Sequence, residues 1–229
     1  MSTKENLATL NQIFQAIFQQ DNPWSLEAFM KKFTFDIELP ILVHDSTTGE
    51  PTYSAMPNAK SYIPADNVRR REDWLLPPRK FQSIDEILTT WQSINLTTTE
   101  RVNDCENVTA SDPIYNSTNV YASTNCGGCD HILFCDGTYD SNYSVACRRS
   151  TDLNYCLRVD DSAACTNSYN VICSGQVSNS YFIQDANHLH ECMFCSHLEH
   201  RNFCIANVQF TETEYFLLKA EIIKWILQP

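Results

Sequence analysis

Glycine is scarce in this chain, 5 of 229 residues. A loop that cradles phosphate with its backbone amides needs glycine at several points, so nucleotide-type binding is not expected. Positive charge is scarce too: Lys and Arg total 16 against 28 Asp and Glu, for a formal net charge of −12. Residues 101–210 alone carry −7. A surface of that sign repels a phosphate backbone, and no nucleic-acid partner is expected. The one basic cluster, Arg69-Arg70-Arg71 with Arg79 and Lys80, is interleaved with Glu72 and Asp73 and reads as a solvated or partner-pairing segment. No apolar run approaches the roughly 18 residues of a membrane span. Met1-Ser2-Thr3-Lys4-Glu5 leads into an amphipathic segment, not a signal-type apolar stretch. Cytoplasmic synthesis, with no membrane partner, is the expectation. The sequons at Asn95, Asn107, Asn116 and Asn142 then reflect turn composition, not glycosylation. Catalytic signatures are missing as well: His44 and His131 have no G-x-S-x-G, H-E-x-x-H or P-loop partner.

What is present begins with a short-period repeat. Apolar anchors recur at intervals of about twelve residues: Val108, Val120, Leu133, Val145, Leu157, Val171, Ile183, Phe194 and Ile205. Asn, Ser and Asp fill the gaps. Leu157 to Val171 is slightly long, with Asp161-Ser162-Ala163-Ala164-Cys165 inside it as an irregular corner. Units this short cannot be helix–turn–helix repeats, which need roughly 33 residues or more. They fit a strand of three to five residues plus a polar corner. The expected fold is mainly β, a Cys-rich β-solenoid (β-helix) of about 12-residue half-coils, two units to a coil. An irregular, metal-stapled Cys-rich domain is the rival.

Residues 1–100 differ in kind. Leu7, Leu10, Ile13, Phe14, Ile17 and Phe18 share one helical face over about residues 5–20. Ser25 caps a second short helix carrying Leu26, Phe29, Met30 and Phe33. An edge strand over 35–43 and a turn at Thr48-Gly49-Glu50-Pro51 make a small hairpin with Thr52-Tyr53-Ser54. Residues 56–80, punctuated by Pro57, Pro64, Pro77 and Pro78, read as an extended arm. Ser83 opens a helix through Ile84, Ile87, Leu88 and Trp91, expected to cap the first coil. Over residues 101–229, the Cys-rich solenoid ends in a capping helix announced by the Thr211-Glu212-Thr213-Glu214 capping box. Tyr215, Leu218, Ile222, Ile223 and Ile226 line its inner face, and Phe216 and Trp225 stand on another face where a partner could bind.

All 11 cysteines lie beyond residue 104. Their odd number and the signal-free start argue against a complete disulfide framework. Cys126/Cys129 and Cys192/Cys195 have zinc-knuckle spacing, and the second pair lies near Cys204, His188, His190, His197 and His200. The candidate metal ligands are therefore Cys192, Cys195, Cys204, His190, Cys126 and Cys129. In a solenoid the same cysteines also fit an inward ladder of small apolar residues needing no cofactor. Asp160-Asp161, Asp136 and Asp140 fit solvated corners, with paired carboxylates or a Ca²⁺ site as the alternatives.

The run Ser180-Tyr181-Phe182-Ile183, then Cys192-Met193-Phe194-Cys195, then Leu198 to Asn207 and Glu212-x-Glu214-Tyr215, resembles uncharacterised Cys-rich repeat proteins of candidate-phyla bacteria and large phages. Those typically end in C-x-x-C-x-N-L-[RK]-x-[KR]-x-Y-C-I-x-N and an acidic helix start. The resemblance covers roughly the last 110 residues and is specific over the last 50. It departs from the pattern at His197 and His200. It implies a repeat fold and a bacterial or phage source, and it carries no catalytic residues.

The expected function is non-enzymatic: a structural or interaction protein, foremost a phage virion component (capsid-associated or a head–tail accessory) that docks on protein partners through its N-terminal arm. Homo-oligomers are among the expected arrangements. The alternatives are a cytoplasmic zinc-binding protein and a carbohydrate-active solenoid enzyme using paired Asp.

Overall fold

The computed structural model describes residues 2–71, 73–152, 157–160, 169–172 and 174–228. From Val102 to Ile205 the chain winds through short parallel strands, and every parallel pairing joins residues twelve apart. Ile132 faces Val120 and Ser144, Leu133 faces Tyr121 and Val145, and Thr138 faces Ser150. The result is a β-solenoid whose strands line up in an 11-stranded and a 5-stranded sheet. Twelve residues complete a whole coil. Asp130–Leu133 lies in one sheet, Asp136–Tyr139 in the other, and Asn142–Val145 is back on the first. The expected half-coil of about twelve residues is thus corrected to about six, because one tight corner between four-residue strands already turns the chain from sheet to sheet.

The interior follows a period of three. From Ser111 to Cys195, every described side chain whose residue number is a multiple of three is buried. These residues are Ser, Thr, Cys, Ala, Val, Ile and Leu, all slender enough for a bore that takes four side chains from each coil. The backbone keeps the same beat. From Asn116 to Asp152 and again from Gln176 to Ala206, every third residue sits in the left-handed region with φ between 47° and 67°. Glycine would be the default there. Here the position is filled mostly by Asn, Asp, His, Ala, Glu and aromatic residues, at a cost of roughly 1 kcal/mol or more each. Gly128 is an exception with a steric reason, since a Cβ there would run into the carboxylate of Asp140.

Hydrogen bonding offsets that cost and accounts for the polar bore. The residue after each inward position donates to the following coil, as Thr118 N to Cys129 O (2.9 Å) and Asp130 N to Ser141 O (3.0 Å). The left-handed residue donates to the preceding coil, as Ala122 N to Thr109 O (3.1 Å) and Ala146 N to Leu133 O (3.0 Å). Where Ser or Cys lies one coil back, its Oγ or Sγ accepts the inward residue's own N–H. Ser123 N donates to Ser111 Oγ (3.1 Å), Cys129 N to Ser117 Oγ (3.0 Å), Cys192 N to Ser180 Oγ (3.0 Å) and Cys147 N to Cys135 Sγ (3.4 Å). The same groups donate to the carbonyl two residues earlier, as Ser117 Oγ to Tyr115 O (2.7 Å) and Cys135 Sγ to Leu133 O (3.3 Å). Buried Ser and Cys therefore have both roles satisfied, which is the condition for polar atoms in a core.

The expected anchors drift across this lattice. Val108 and Val120 face inward, whereas Leu133, Val145 and Ile205 belong to the outward column that also holds Tyr121, Tyr181 and Met193. The long interval from Leu157 to Val171 is a change of column: Leu157 pairs with Tyr169 and Val159 with Val171, each at twelve. The corner expected over 161–165 lies outside the described residues.

That outward apolar column is a second core, roofed by helices. Helix α1 (Thr3–Phe18) has a complete capping box at Ser2 and Glu5, and α2 (Leu26–Phe33) is capped by Ser25. Leu10, Ile13, Phe14, Phe18, Trp24, Phe29 and Phe33 pack with Leu133, Phe134, Val145, Tyr181 and Met193. The Tyr181 hydroxyl donates to Ile17 O at 2.7 Å. Farther along, α3 (Ala65–Arg70) and α4 (Ile84–Ile94) precede the solenoid, and α5 (Glu212–Ile226) follows it. Tyr215, Ile223 and Ile226 of α5 join the same cluster, and Lys219 Nζ meets Glu191 Oε2 at 2.6 Å. Helix α5 thus covers the last strands from the side. The end itself is closed by Val208–Gln209, which folds back antiparallel on Cys204 and Ile205.

At the other end the expected cap is corrected. Helix α4 buries no side chain. The first coil is met instead by the hairpin Ile41–His44/Pro51–Ser54 and by Tyr62–Pro64, which pairs in parallel with Thr97–Thr99. The hydroxyls of Thr52 and Thr99 lie 2.7 Å apart. The arm expected over 56–80 is only partly extended, because Tyr62, Ile63 and Ala65 are buried and 65–70 is helical. Apolar residues between the prolines pull that stretch onto the stack.

Candidate functional site

Outside the two cores lies α4. Ser83 caps it by accepting from Glu86 N (3.2 Å), and Glu86 Oε2 accepts from Gln82 N (2.7 Å). Thr90 Oγ1 donates to Glu86 O (2.8 Å), and the Arg79 guanidinium also reaches Thr90. Ile84, Ile87, Leu88, Trp91 and Ile94 fall at spacings that place them on one stripe. All are exposed, Ile84 at 69% and Trp91 at 54%. Leu75, Leu76 and Phe81 extend the apolar surface on the approach to the helix. Isolated helices shorter than about 12–15 residues are marginal in water. At 11 residues and with no side chain buried, α4 shows little of the burial that ordinarily holds such a helix.

Leu217 and Leu218 stand exposed on α5, and Phe216 and Trp225 are partly exposed on its two flanks, Phe216 against Phe203 and Tyr215. Phe210, Glu214, Leu217 and Leu218 line a depression of about 320 Å³ there. Phe216 and Trp225 were the residues that the sequence set on a partner-binding face. Trp225 leans on the stacked rings of Phe182 and Phe194, which are 4.5 Å apart.

The candidate metal ligands divide between inside and outside. Cys126, Cys129, Cys192, Cys195 and Cys204 are buried in the bore as free thiols. His190 points outward and meets Ser178 Oγ through Nδ1 at 2.8 Å. The strand that carries both His190 and Cys192 sends them to opposite sides, so His190 does not join the sulfur set. Among the described residues, no group of three or more His, Cys, Asp or Glu is arranged to hold a metal ion. C-x-x-C is here two successive inward positions of the three-residue beat. His188 and His200, one coil apart, stack outside at 4.3 Å. Of the expected carboxylates, Asp136 is engaged in an outward ladder. Asp136 Oδ1 accepts from Thr124 Oγ1 (2.6 Å) and Asn125 Nδ2 (3.0 Å), the pattern that Asp130 repeats with Thr118 and Asn119. Asp161 and the side chain of Asp160 lie outside the described residues. A cleft of about 410 Å³ beside the first coil is lined by Tyr53, Asp66, Glu100 and Cys105 among others, and burial raises the Glu100 pKa.

The bore sets the thiol chemistry. Loss of hydration raises Cys126 and pushes Cys129 up to about 11. Hydrogen bonding between Cys192 and Cys195 keeps the proton on Cys192 and makes Cys195 the more acidic partner. A thiol whose folded pKa is raised contributes stability below its unfolded value of about 8.5 and loses it as pH rises toward the folded value. Between pH 7 and about pH 10.5, Cys129 alone should account for a loss of about 2 kcal/mol. Urea midpoints at the two pH values check this. Cys129→Ser, which repeats the residue type of Ser117 and Ser141 in its column, should remove that part of the decline, and an unchanged pH dependence in the variant refutes the assignment.

No family model, curated protein or solved structure matches the chain.

Proposed function

We propose that this chain is a non-enzymatic structural and interaction protein, in which a stiff acidic solenoid holds α4 out for a protein partner. The observation that carries the reading is the exposed stripe Ile84, Ile87, Leu88, Trp91 and Ile94 on a helix with no buried side chain. Large exposed apolar surfaces on a soluble domain mark interaction sites, and an amphipathic helix laid into an apolar groove is a recurrent mode of recognition. The coil-to-coil hydrogen bonding of buried Ser and Cys in the bore agrees with a fold kept for shape. A virion, with its repeated protein–protein contacts, is the assembly to test first.

Hydrogen exchange tests the reading directly. In the free chain the α4 amides should exchange orders of magnitude faster than those of α1, and they should become protected in the assembled state. Trp91→Glu should leave thermal unfolding of the free chain unchanged while abolishing that protection. If α4 is already as protected as α1 in a monomer, docking through this helix is ruled out.

A further inference from the structure

We propose that Cys192 and Cys195 are a modification site, a dithiol that a hydroperoxide oxidises to an internal disulfide at the C-terminal end of the bore. The two thiols are successive inward positions, one on each side of the corner at Phe194, where φ is 52°. Side chains directed inward from the two sides of one corner converge, and these two are joined by a side-chain hydrogen bond. Cys204 is the third sulfur of the cluster, paired in register with Cys192 one coil on. In-register neighbours on parallel strands project side by side at the strand spacing of about 4.8 Å, wider than the Cβ separation of about 3.8 Å in a disulfide. The corner pair is therefore the one placed to close.

Position separates this pair from the other C-x-x-C. Cys126 and Cys129 have the same spacing but lie mid-stack, between buried Ile114 and Ser117 one coil before and buried Thr138 and Ser141 one coil after. Over Cys195 the stack runs out. Asn207, twelve residues on, is exposed and turns its side chain onto Ser196, accepting from its N–H at 3.1 Å and donating to its carbonyl at 3.0 Å. Gln209 Oε1 accepts from Cys204 Sγ at 3.4 Å, and Val208 and Gln209 are exposed as well. One layer of exposed turn therefore separates the cluster from water, and opening a two-residue strand is a small local event. Hydrogen peroxide, little larger than water, can pass such an opening. The Cys195 sulfur attacks it and the O–O bond breaks; one oxygen stays on sulfur as a sulfenic acid, and the other leaves as water with the thiol proton. The Cys192 sulfur then displaces that hydroxyl, which leaves as a second water with the Cys192 proton as the S–S bond forms. The dithiol loses two electrons and the peroxide gains them.

The test is peptide mass mapping of the full, reduced chain before and after hydrogen peroxide, with the remaining thiols blocked under denaturant. The expected product is a Cys192–Cys195 disulfide, two hydrogens lighter, formed while Cys126 and Cys129 are still free. Circular dichroism should be unchanged, and dithiothreitol should restore both thiols. Cys192→Ser should stop at the Cys195 sulfenic acid, trapped as its dimedone adduct, and Cys195→Ser should leave Cys192 free. Cys204→Ser should still close the bond. Serine already fills the inward position one coil before Cys192, at Ser180, and unchanged circular dichroism shows that the variants fold. A Cys192–Cys204 disulfide in the wild type overturns the assignment. So does oxidation of Cys126 and Cys129 as fast as the end pair, or a wild type whose Cys192 and Cys195 stay free while peroxide consumes the half-buried Cys105. These three readings come from the wild type and stand whatever the stability of the variants.

Discussion

Asp112→Ala should unfasten the start of the solenoid at a cost of about 4 kcal/mol. The Asp112 carboxylate has no exposed surface, and Arg101 reaches it at 2.9 Å. It accepts from Arg101 N and Nε (both 2.9 Å), Arg101 Nη2 (3.2 Å) and Ala55 N (3.1 Å). One side chain therefore ties the hairpin, the segment before the first coil and the first coil together. Its removal orphans two backbone N–H groups and leaves a half-buried guanidinium without its counter-charge. A stacked fold distributes that loss unevenly, because each coil touches only its neighbours. Hydrogen exchange should accelerate over 51–64 and 97–115 while 175–205 keeps its protection. Uniform acceleration, or a thermal unfolding curve superimposable on the wild type, would show that Asp112 does not hold this end.

Phe14→Ala should cost about 3–5 kcal/mol through the other core. Phe14 is fully buried and packs against Phe18, Trp24 and Phe29 at ring-centroid distances of 5.2, 5.8 and 5.9 Å. These rings form the underside of the roof over Phe134, Val145 and Tyr181. Loosening the roof uncovers an apolar sheet face that the solenoid alone cannot hide. The expected signs are a lower urea midpoint and binding of a hydrophobic dye before the bore itself opens. A midpoint shift under about 1 kcal/mol would mean that the helices add little to the stack.

How much of this was legible in the sequence depends on which residues carried the signal. Capping residues marked helices well: Ser25, Ser83 and the Thr211/Glu214 pair each stand at a helix start. The twelve-residue recurrence was legible in Val108 and Val120, which do share a column. The phase was not, because Leu133 and Val145 are as apolar as an inward residue yet face outward under α1 and α2. Chains with two cores hide the inner one when its side chains are Ser and Cys, and a search for apolar anchors then settles on the outer one. The three-residue beat is written in side-chain size, in the series Cys126, Cys129, Ile132, Cys135, Thr138, Ser141. The exposed state of α4 was beyond reach for a different reason. The stripe Ile84, Ile87, Leu88, Trp91 states that something must cover the helix, and it does not state from which chain. The same limit applies to Cys192 and His190, whose spacing is that of ligands while the strand points them to opposite sides.

The beat of three also gives this protein a second reading frame, laid over the genetic one. Adding or deleting twelve residues within the stack returns every side chain to its own column and only lengthens or shortens the molecule by a coil. Adding three keeps small residues inward but rotates all later columns by one corner, moving the apolar face that carries Phe182 and Met193 out from beneath α1 and α5. Adding one or two sends Asp130, His131 or Arg148 toward the bore and Val120 or Ile132 toward water. Length variation in this molecule is thereby quantised, and its inheritable changes of size should come in steps of thirty-six nucleotides, the span of one twelve-residue coil.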